Sequence, residues 1–235
     1  NPSQTQTRWL CSNARFAMRA VLSMRGSMRT RVKFCGLTRR DDVEAAVALG
    51  VDAIGLVFHP ASPRAVEVEQ AAQLVEALPA FVTAVGLFVD AEAERVRAVL
   101  ERVALDALQF HGAEPPAYCQ GFGRPWIKAI AVRAGVDLAA EARRYAGARS
   151  LLFDTYDPAL AGGTGRCFDW GLVPAQQARR GILAGGLTAA NVADAIRQLR
   201  PHAVDVSGGI EQTKGLKAPD KMTDFMKGVR DGDQS

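Results

Sequence analysis

From residue 30 onward, two hydrophobic patterns alternate along the chain. Eight short apolar runs recur: RVKFC (31–35), AIGLVF (53–58), VTAVGLFV (82–89), ALQFH (107–111), WIKAIAV (126–132), SLLFD (150–154), GILAG (181–185) and AVDVSGG (203–209). They are near-continuous rather than alternating, the pattern of parallel strands covered on both faces. Between them, apolar positions return at helical spacing. Val68, Ala71, Val75 and Leu78 share one face, which Pro79 ends. Val96, Val99, Leu100 and Val103 form a second; Val192, Ala195, Ile196 and Leu199, closed by Pro201, a third; Met222, Phe225, Met226 and Val229 a fourth. Thr38 and Asp41 have the spacing of a capping box for the first helix, and Gly50 closes it. Thr188 is placed to cap the seventh. The fourth and sixth helices are expected to be weak, because Pro115 and Pro116 open one while Gly171 and Pro174 disturb the other.

Eight evenly spaced strand–helix units predict an α/β fold, a single (β/α)8 TIM barrel at the short end of its size range. A doubly wound sheet is the alternative, and the even spacing favours closure. The expected division is a basic extension over 1–29, outside the fold, and a barrel over 30–235. No linker or second domain interrupts the latter.

Charge sharpens that boundary. Residues 1–29 hold five arginines and no acid, leaving 24 basic and 25 acidic groups in the remainder. The sequence pI of about 9.0 therefore belongs to the leader. A nucleic-acid-binding domain carries its positive charge on the folded body, so no nucleic-acid partner is expected. The leader fits residues translated from upstream of Met28; an organellar transit peptide is the minority reading. No apolar stretch is long enough to span a bilayer, and no membrane partner is expected. Of the four cysteines, Cys11, Cys35, Cys119 and Cys167, none lies in a C-x-x-C pair. With only three histidines, no zinc-ligand spacing appears, and no cofactor motif is evident. The cysteine usage fits a reducing, cytoplasmic compartment.

Barrel enzymes place their chemistry at the C-terminal strand ends. Cys35 ends the first strand; His59 and Arg64 follow the second; Asp90 follows the third. Gln109 and His111 end the fourth, and Asp154 ends the sixth. Gly185 and Gly186 end the seventh; Ser207, Gly208 and Gly209 end the eighth. His202 precedes the eighth strand and belongs to the opposite face. Paired glycines after strands seven and eight suit a phosphate, which needs close backbone approach and inward amides. One such pair alone would be only a tight turn. Asp154 follows an apolar run, where partial desolvation suits a general acid, though an Asp there also simply starts a turn. The glycine-rich stretch after it, YDPALAGGTGRCFDW, reads as a covering loop or as an ordinary surface loop. Cys35 is a base only as a thiolate, and an isolated cysteine is more readily a small core residue. Lys33 shares its face but lies two residues deeper, so little help is expected from it. Arg64 could fork onto a carboxylate or lie on the surface. The residues alone thus point to a phosphorylated small molecule and a Cys–Asp proton-shuttling pair.

The segments VKFCGLT, GLVFHPASPR, QFHG, FDT, GGTGRCFDW, LAGGL and VDVSGGIE, followed by KGLKAPDKM, resemble in order the phosphoribosylanthranilate isomerases of tryptophan biosynthesis. The resemblance runs from about residue 31 to 228. It implies an Amadori rearrangement of N-(5-phosphoribosyl)anthranilate, with Asp154 as general acid and Cys35 as general base. It further implies Arg64 at the anthranilate carboxylate and the amides of Gly185, Gly186, Ser207, Gly208 and Gly209 around the phosphate. Gln109 and His111 would line the pocket floor. No cofactor or metal is implied, and the assembly is a monomer or weak homodimer. Two departures stand out. Gly208 occupies a place where a second serine is commoner, and Ala218 one where aspartate is frequent.

Two other functions bear weighing. The related isomerase of histidine biosynthesis uses aspartate in both catalytic roles, which Cys35 argues against. A catalytically silent barrel that binds a phosphorylated ligand would have little reason to keep both Cys35 and Asp154.

Overall fold

The structure is a computed structural model that describes residues 29–154 and 170–234. The strands are β1 (Arg31–Cys35), β2 (Ala53–Val57), β3 (Thr83–Phe88), β4 (Ala107–Phe110), β5 (Trp126–Ala131), β6 (Ser150–Asp154), β7 (Ile182–Ala184) and β8 (Ala203–Val206). Each is parallel to the next, and β1 pairs with β8 to close the ring. All eight fall within the apolar runs. Between them lie α1 (Arg40–Ala48), α2 (Val68–Glu76), α3 (Ala93–Arg102), α4 (Pro116–Cys119), α5 (Leu138–Arg144), α6 (Ala175–Ala178) and α7 (Val192–Leu199). A short hairpin, β9 (Glu211–Thr213) and β10 (Leu216–Lys217), precedes the last helix, α8 (Pro219–Asp233). The chain is therefore a (β/α)8 barrel. The leader and the glycine-rich stretch after Asp154 lie outside the described residues, apart from Arg29 and Trp170 at their ends. Arg29 donates two hydrogen bonds to Asp52, at 2.8 and 2.6 Å.

Strand alternation sorts the core into two layers. Val32, Phe34, Ile54, Leu56, Leu108, Phe110, Phe153 and Val204 point outward, into the apolar layer beneath the helices. Val192, Ala195, Ile196 and Leu199 of α7, and Met222, Phe225, Met226 and Val229 of α8, are buried against it as their spacing predicts. Phe34 meets Phe225 edge-on at 6.0 Å, which seats α8 behind β1. Inside the barrel, Ala129, Leu152, Ile182, Ala184 and Ala203 fill one side. Cys35, Val57 and Leu87 form a small separate cluster.

Two expected caps are corrected. Thr38 does not cap α1: the N-cap is Arg39, and the Thr38 hydroxyl donates to the Gly215 carbonyl at 2.9 Å instead. A tie between the β1–α1 loop and the β9–β10 hairpin has displaced the local capping bond. Thr188 does not cap α7 either. The N-cap is Asn191, whose side-chain oxygen accepts from the Thr188 amide at 2.8 Å. Gly50 does follow α1, with φ of 81°. α4 and α6 have four residues each, as their prolines and glycine foretell.

One charged side chain on the outer face of β5 holds that side together. Lys128 is 2% exposed and donates to the carbonyls of Phe110 (3.2 Å), Gly112 (2.6 Å) and Ala129 (3.1 Å) and to Glu114 (3.3 Å). Lys128→Met leaves Glu114 buried without its cation. The expected result is a loss of about 3–5 kcal/mol in unfolding free energy, read from urea denaturation.

Candidate active site

The upper ends of the strands enclose a cavity of about 660 Å³. Its wall takes Cys35 from β1, Val57 from β2, Leu87 from β3, Gln109 from β4, Asp154 from β6, Ala184 from β7 and Asp205 from β8. These are the last inward positions of their strands, staggered in height by the tilt of the barrel. The ten residues expected to catalyse or bind all line it: Cys35, Arg64, Gln109, His111, Asp154, Gly185, Gly186, Ser207, Gly208 and Gly209. His59 and Lys214 join them at the mouth. Asp90 does not line it; its carboxylate accepts from the Ala113 amide at 2.7 Å. His202 faces a different cavity, at the N-terminal end of the barrel, as its position predicts.

Asp154 is partly exposed and 2.9 Å from His111 Nε2. The other ring nitrogen, Nδ1, faces the Gln109 amide nitrogen at 3.2 Å. Gln109 is completely buried, and among the described residues its Oε1 has no hydrogen-bond partner. The three side chains form a line from the barrel interior to the carboxyl group. Rotating one amide would reverse the direction of every hydrogen bond in it.

Cys35 is 5% exposed. Burial pushes its thiol up, Lys33 pulls it down and Asp205 pushes it up again; the balance lies above the ordinary thiol value. The small share expected of Lys33 is thus corrected. The lysine starts one layer deeper, but its long side chain rises to the level of the thiol. Its Nζ is 2.8 Å from Asp205 Oδ1.

The loops after β7 and β8 meet at one edge of the cavity. Gly185 and Gly186 have φ of 83° and 63°, a left-handed pair that favours glycine. Asn191 Nδ2 donates to the Gly186 carbonyl and ties this loop to the start of α7. At Gly209 even a methyl group would strike the Leu187 carbonyl, so the two loops can touch only with glycine there. Beneath them Lys217 is fully buried. It donates to the Ser207 carbonyl (3.1 Å), the Ser207 hydroxyl (3.4 Å) and Glu211 (3.0 Å). Burial pulls its ammonium below the ordinary lysine value, against the pull of Glu211. Glu211 also accepts both bonds of the Arg64 fork, each 2.7 Å. Burial pushes the Glu211 carboxyl up, but Arg64 and Lys217 overcome it and hold the group below its ordinary value. Its contribution to stability is present above the unfolded-state value and is lost as pH falls through the folded one.

Sequence reasoning missed Lys33, Asp205, Glu211 and Lys217 as a set. A signal existed for two of them, since Lys33 and Asp205 are charges inside otherwise apolar strands. Among the described residues no group of histidine, cysteine or carboxylate side chains is arranged to hold a metal ion.

Likeness to known proteins runs through this same region. The family model for N-(5'-phosphoribosyl)anthranilate isomerase matches residues 32–228. The N-(5'-phosphoribosyl)anthranilate isomerase of Nitrosococcus oceani is 56% identical over 202 residues, covering 86% of this chain and 98% of the relative. The crystal structure of phosphoribosyl anthranilate isomerase from Thermotoga maritima superimposes with a TM-score of 0.78 at 38% identity, covering 86% of this chain and 98% of that one. A second solved phosphoribosyl anthranilate isomerase, in complex with reduced 1-(o-carboxyphenylamino)-1-deoxyribulose 5-phosphate, gives 0.76 at 36% identity with the same coverage. From β1 to α8, this chain belongs to the N-(5'-phosphoribosyl)anthranilate isomerase family.

Proposed function

We propose that this isomerase of tryptophan biosynthesis converts N-(5-phosphoribosyl)anthranilate to its 1-deoxyribulose 5-phosphate isomer, with Asp154 as general acid and Cys35 as general base. The observation that carries this is the position of the two groups: they end β6 and β1 and open into the same cavity. Asp154 gives a proton to the ribose ring oxygen as the C1–O bond breaks, and the anthranilate nitrogen supplies the electrons for a C1=N bond. The Cys35 thiolate then takes the C2 proton. The electrons of that C–H bond form C1=C2 and neutralise the iminium. Tautomerisation of the enolamine gives the ketone, and the proton on Cys35 offsets the one lost from Asp154.

The line of Gln109, His111 and Asp154 suits the acid role. With the Gln109 amide nitrogen on Nδ1, the His111 proton sits on Nε2 and points at a carboxylate. With the amide turned, Oε1 accepts from Nδ1–H, and Nε2 accepts from a protonated Asp154. The buried Oε1 lacking a partner is the group that this second arrangement satisfies. These two residues thus orient the acid in addition to lining the floor.

The phosphate belongs at the loops of Gly185, Gly186, Ser207, Gly208 and Gly209, above the buried Lys217. Arg64 belongs at the anthranilate carboxylate; it lines the cavity with its guanidinium oriented by Glu211. Gly209→Ala forces the two loops apart at a cost of about 1–3 kcal/mol. Spent on the phosphate site, this raises KM about tenfold for each 1.4 kcal/mol. Steady-state kinetics read the effect, and an unchanged KM would remove the loops from the binding site.

The compartment proposed is the cytoplasm and the assembly a monomer or weak homodimer. Cys35 and Cys119 are both free and buried, which suits a reducing medium. No helix among the described residues is long and apolar enough to cross a membrane. The test of the function is turnover of phosphoribosylanthranilate generated in situ, followed by loss of its fluorescence. An inactive wild-type protein would leave a barrel that binds a phosphorylated ligand without transforming it.

A further inference from the structure

β1 carries two polar residues on its inner face, Lys33 and Cys35. Asp205 is the register partner of Lys33 on β8, and Gly55 is the register partner of Cys35 on β2. The missing side chain at Gly55 is informative. A methyl group there would lie 2.7 Å from Cys35 Sγ and 2.9 Å from Lys33 Nζ. The thiol and the ammonium therefore both lie over the backbone of Gly55, where any side chain would collide with them. Lys33 is 4% exposed and Asp205 7%.

We infer that Lys33 is the positioning residue that makes Cys35 usable as a base: its ammonium is the counter-ion of the thiolate, and Asp205 anchors it. This rests on the reading of Cys35 as the base. A thiolate in a dry site needs a cation nearby, and an opposite charge within about 4–6 Å favours the ionised form by about 1–3 pH units. The charged groups facing Cys35 are Lys33 from its own strand, Asp205 from β8 and Lys217 from the hairpin. From β2, Gly55 and Val57 bring none. Lys217 is held by Glu211 and Ser207, so Lys33 exerts the larger pull on the thiol. Asp205 has two opposite effects. It holds the ammonium in place, and its own negative charge opposes the thiolate.

Those opposite effects give a test that a purely structural role would not pass. The reaction of Cys35 with iodoacetamide is followed against pH in the full chain, by the mass of the peptide that carries Cys35. Wild type, Lys33→Met, Lys33→Arg and Asp205→Asn are compared, with kcat and KM measured alongside. Lys33→Met moves the thiol titration up by about 1–3 units, and kcat at neutral pH falls about tenfold per unit while KM changes less. Lys33→Arg restores most of the shift. Asp205→Asn moves the titration down, because the ammonium then faces the thiol alone. A folded Lys33→Met protein with the wild-type titration overturns the inference, as does an Asp205→Asn titration that stays or rises. Where Lys33→Met does not fold, Lys33→Gln, which keeps a polar partner for Asp205, takes its place, with the same upward shift expected. Turnover of Cys35→Ser keeps the two readings apart. Full activity there removes Cys35 as the base. Lost activity with unmoved titrations in the other variants removes only Lys33.

Discussion

Replacing Cys35 by serine is expected to lower kcat by about 10²–10⁴-fold with KM nearly unchanged. The substitution is close to isosteric, and the cluster of Cys35, Val57 and Leu87 loses little packing. The difference lies in acidity. Burial already pushes the Cys35 thiol above its ordinary value, and Lys33 and Lys217 work against that burial. A serine hydroxyl starts far higher, and the same two cations cannot bring it to an alkoxide near neutral pH. The C2 proton then has no base of useful strength. The phosphate loops and Arg64 are untouched, so substrate still binds. Far-ultraviolet circular dichroism and urea unfolding check that the fold is intact, and the fluorescence assay gives kcat. A variant that is folded and as fast as wild type would take Cys35 out of the reaction.

The fold is legible in the sequence through hydrophobic period and spacing alone. Buried parallel strands are apolar on both faces, and each of the eight runs contains its strand. Evenness of spacing was enough to favour a closed ring. Period could not tell which polar contact a loop residue would choose. Thr38 had the right spacing for a cap but bonds to Gly215, 177 residues away. The same limit applies in the site. Cys35 and Asp154 were legible because a strand end is a defined place in this fold. Lys33 was legible as an inward residue, yet spacing says nothing about how far a lysine side chain climbs. Arg64 and Glu211 are 147 residues apart, and no local pattern joins them. Lys217 lies in a two-residue strand with no period to read. Ala218 is the N-cap of α8 and makes no side-chain cap, so this position bears on the helix end rather than on the floor of the cavity.

Asp154→Asn is expected to lower kcat by a similar factor of about 10²–10⁴. Its residual activity separates the acid from the base. Asparagine keeps the shape and can still bond to His111, so the line from Gln109 stays in place. It has no acidic proton to give the ring oxygen, and ring opening must proceed without assistance. In the wild-type protein the productive form carries a thiolate on Cys35, whose burial holds the thiol above its ordinary value. Residual turnover of Asp154→Asn still needs that thiolate, so it rises with pH and levels off only on the alkaline side. Cys35→Ser lacks this thiol-dependent ascending limb. That difference assigns the base, which the loss of rate alone cannot do. Were Asp154→Asn to lose the ascending limb and Cys35→Ser to keep it, Cys35 would not be the base.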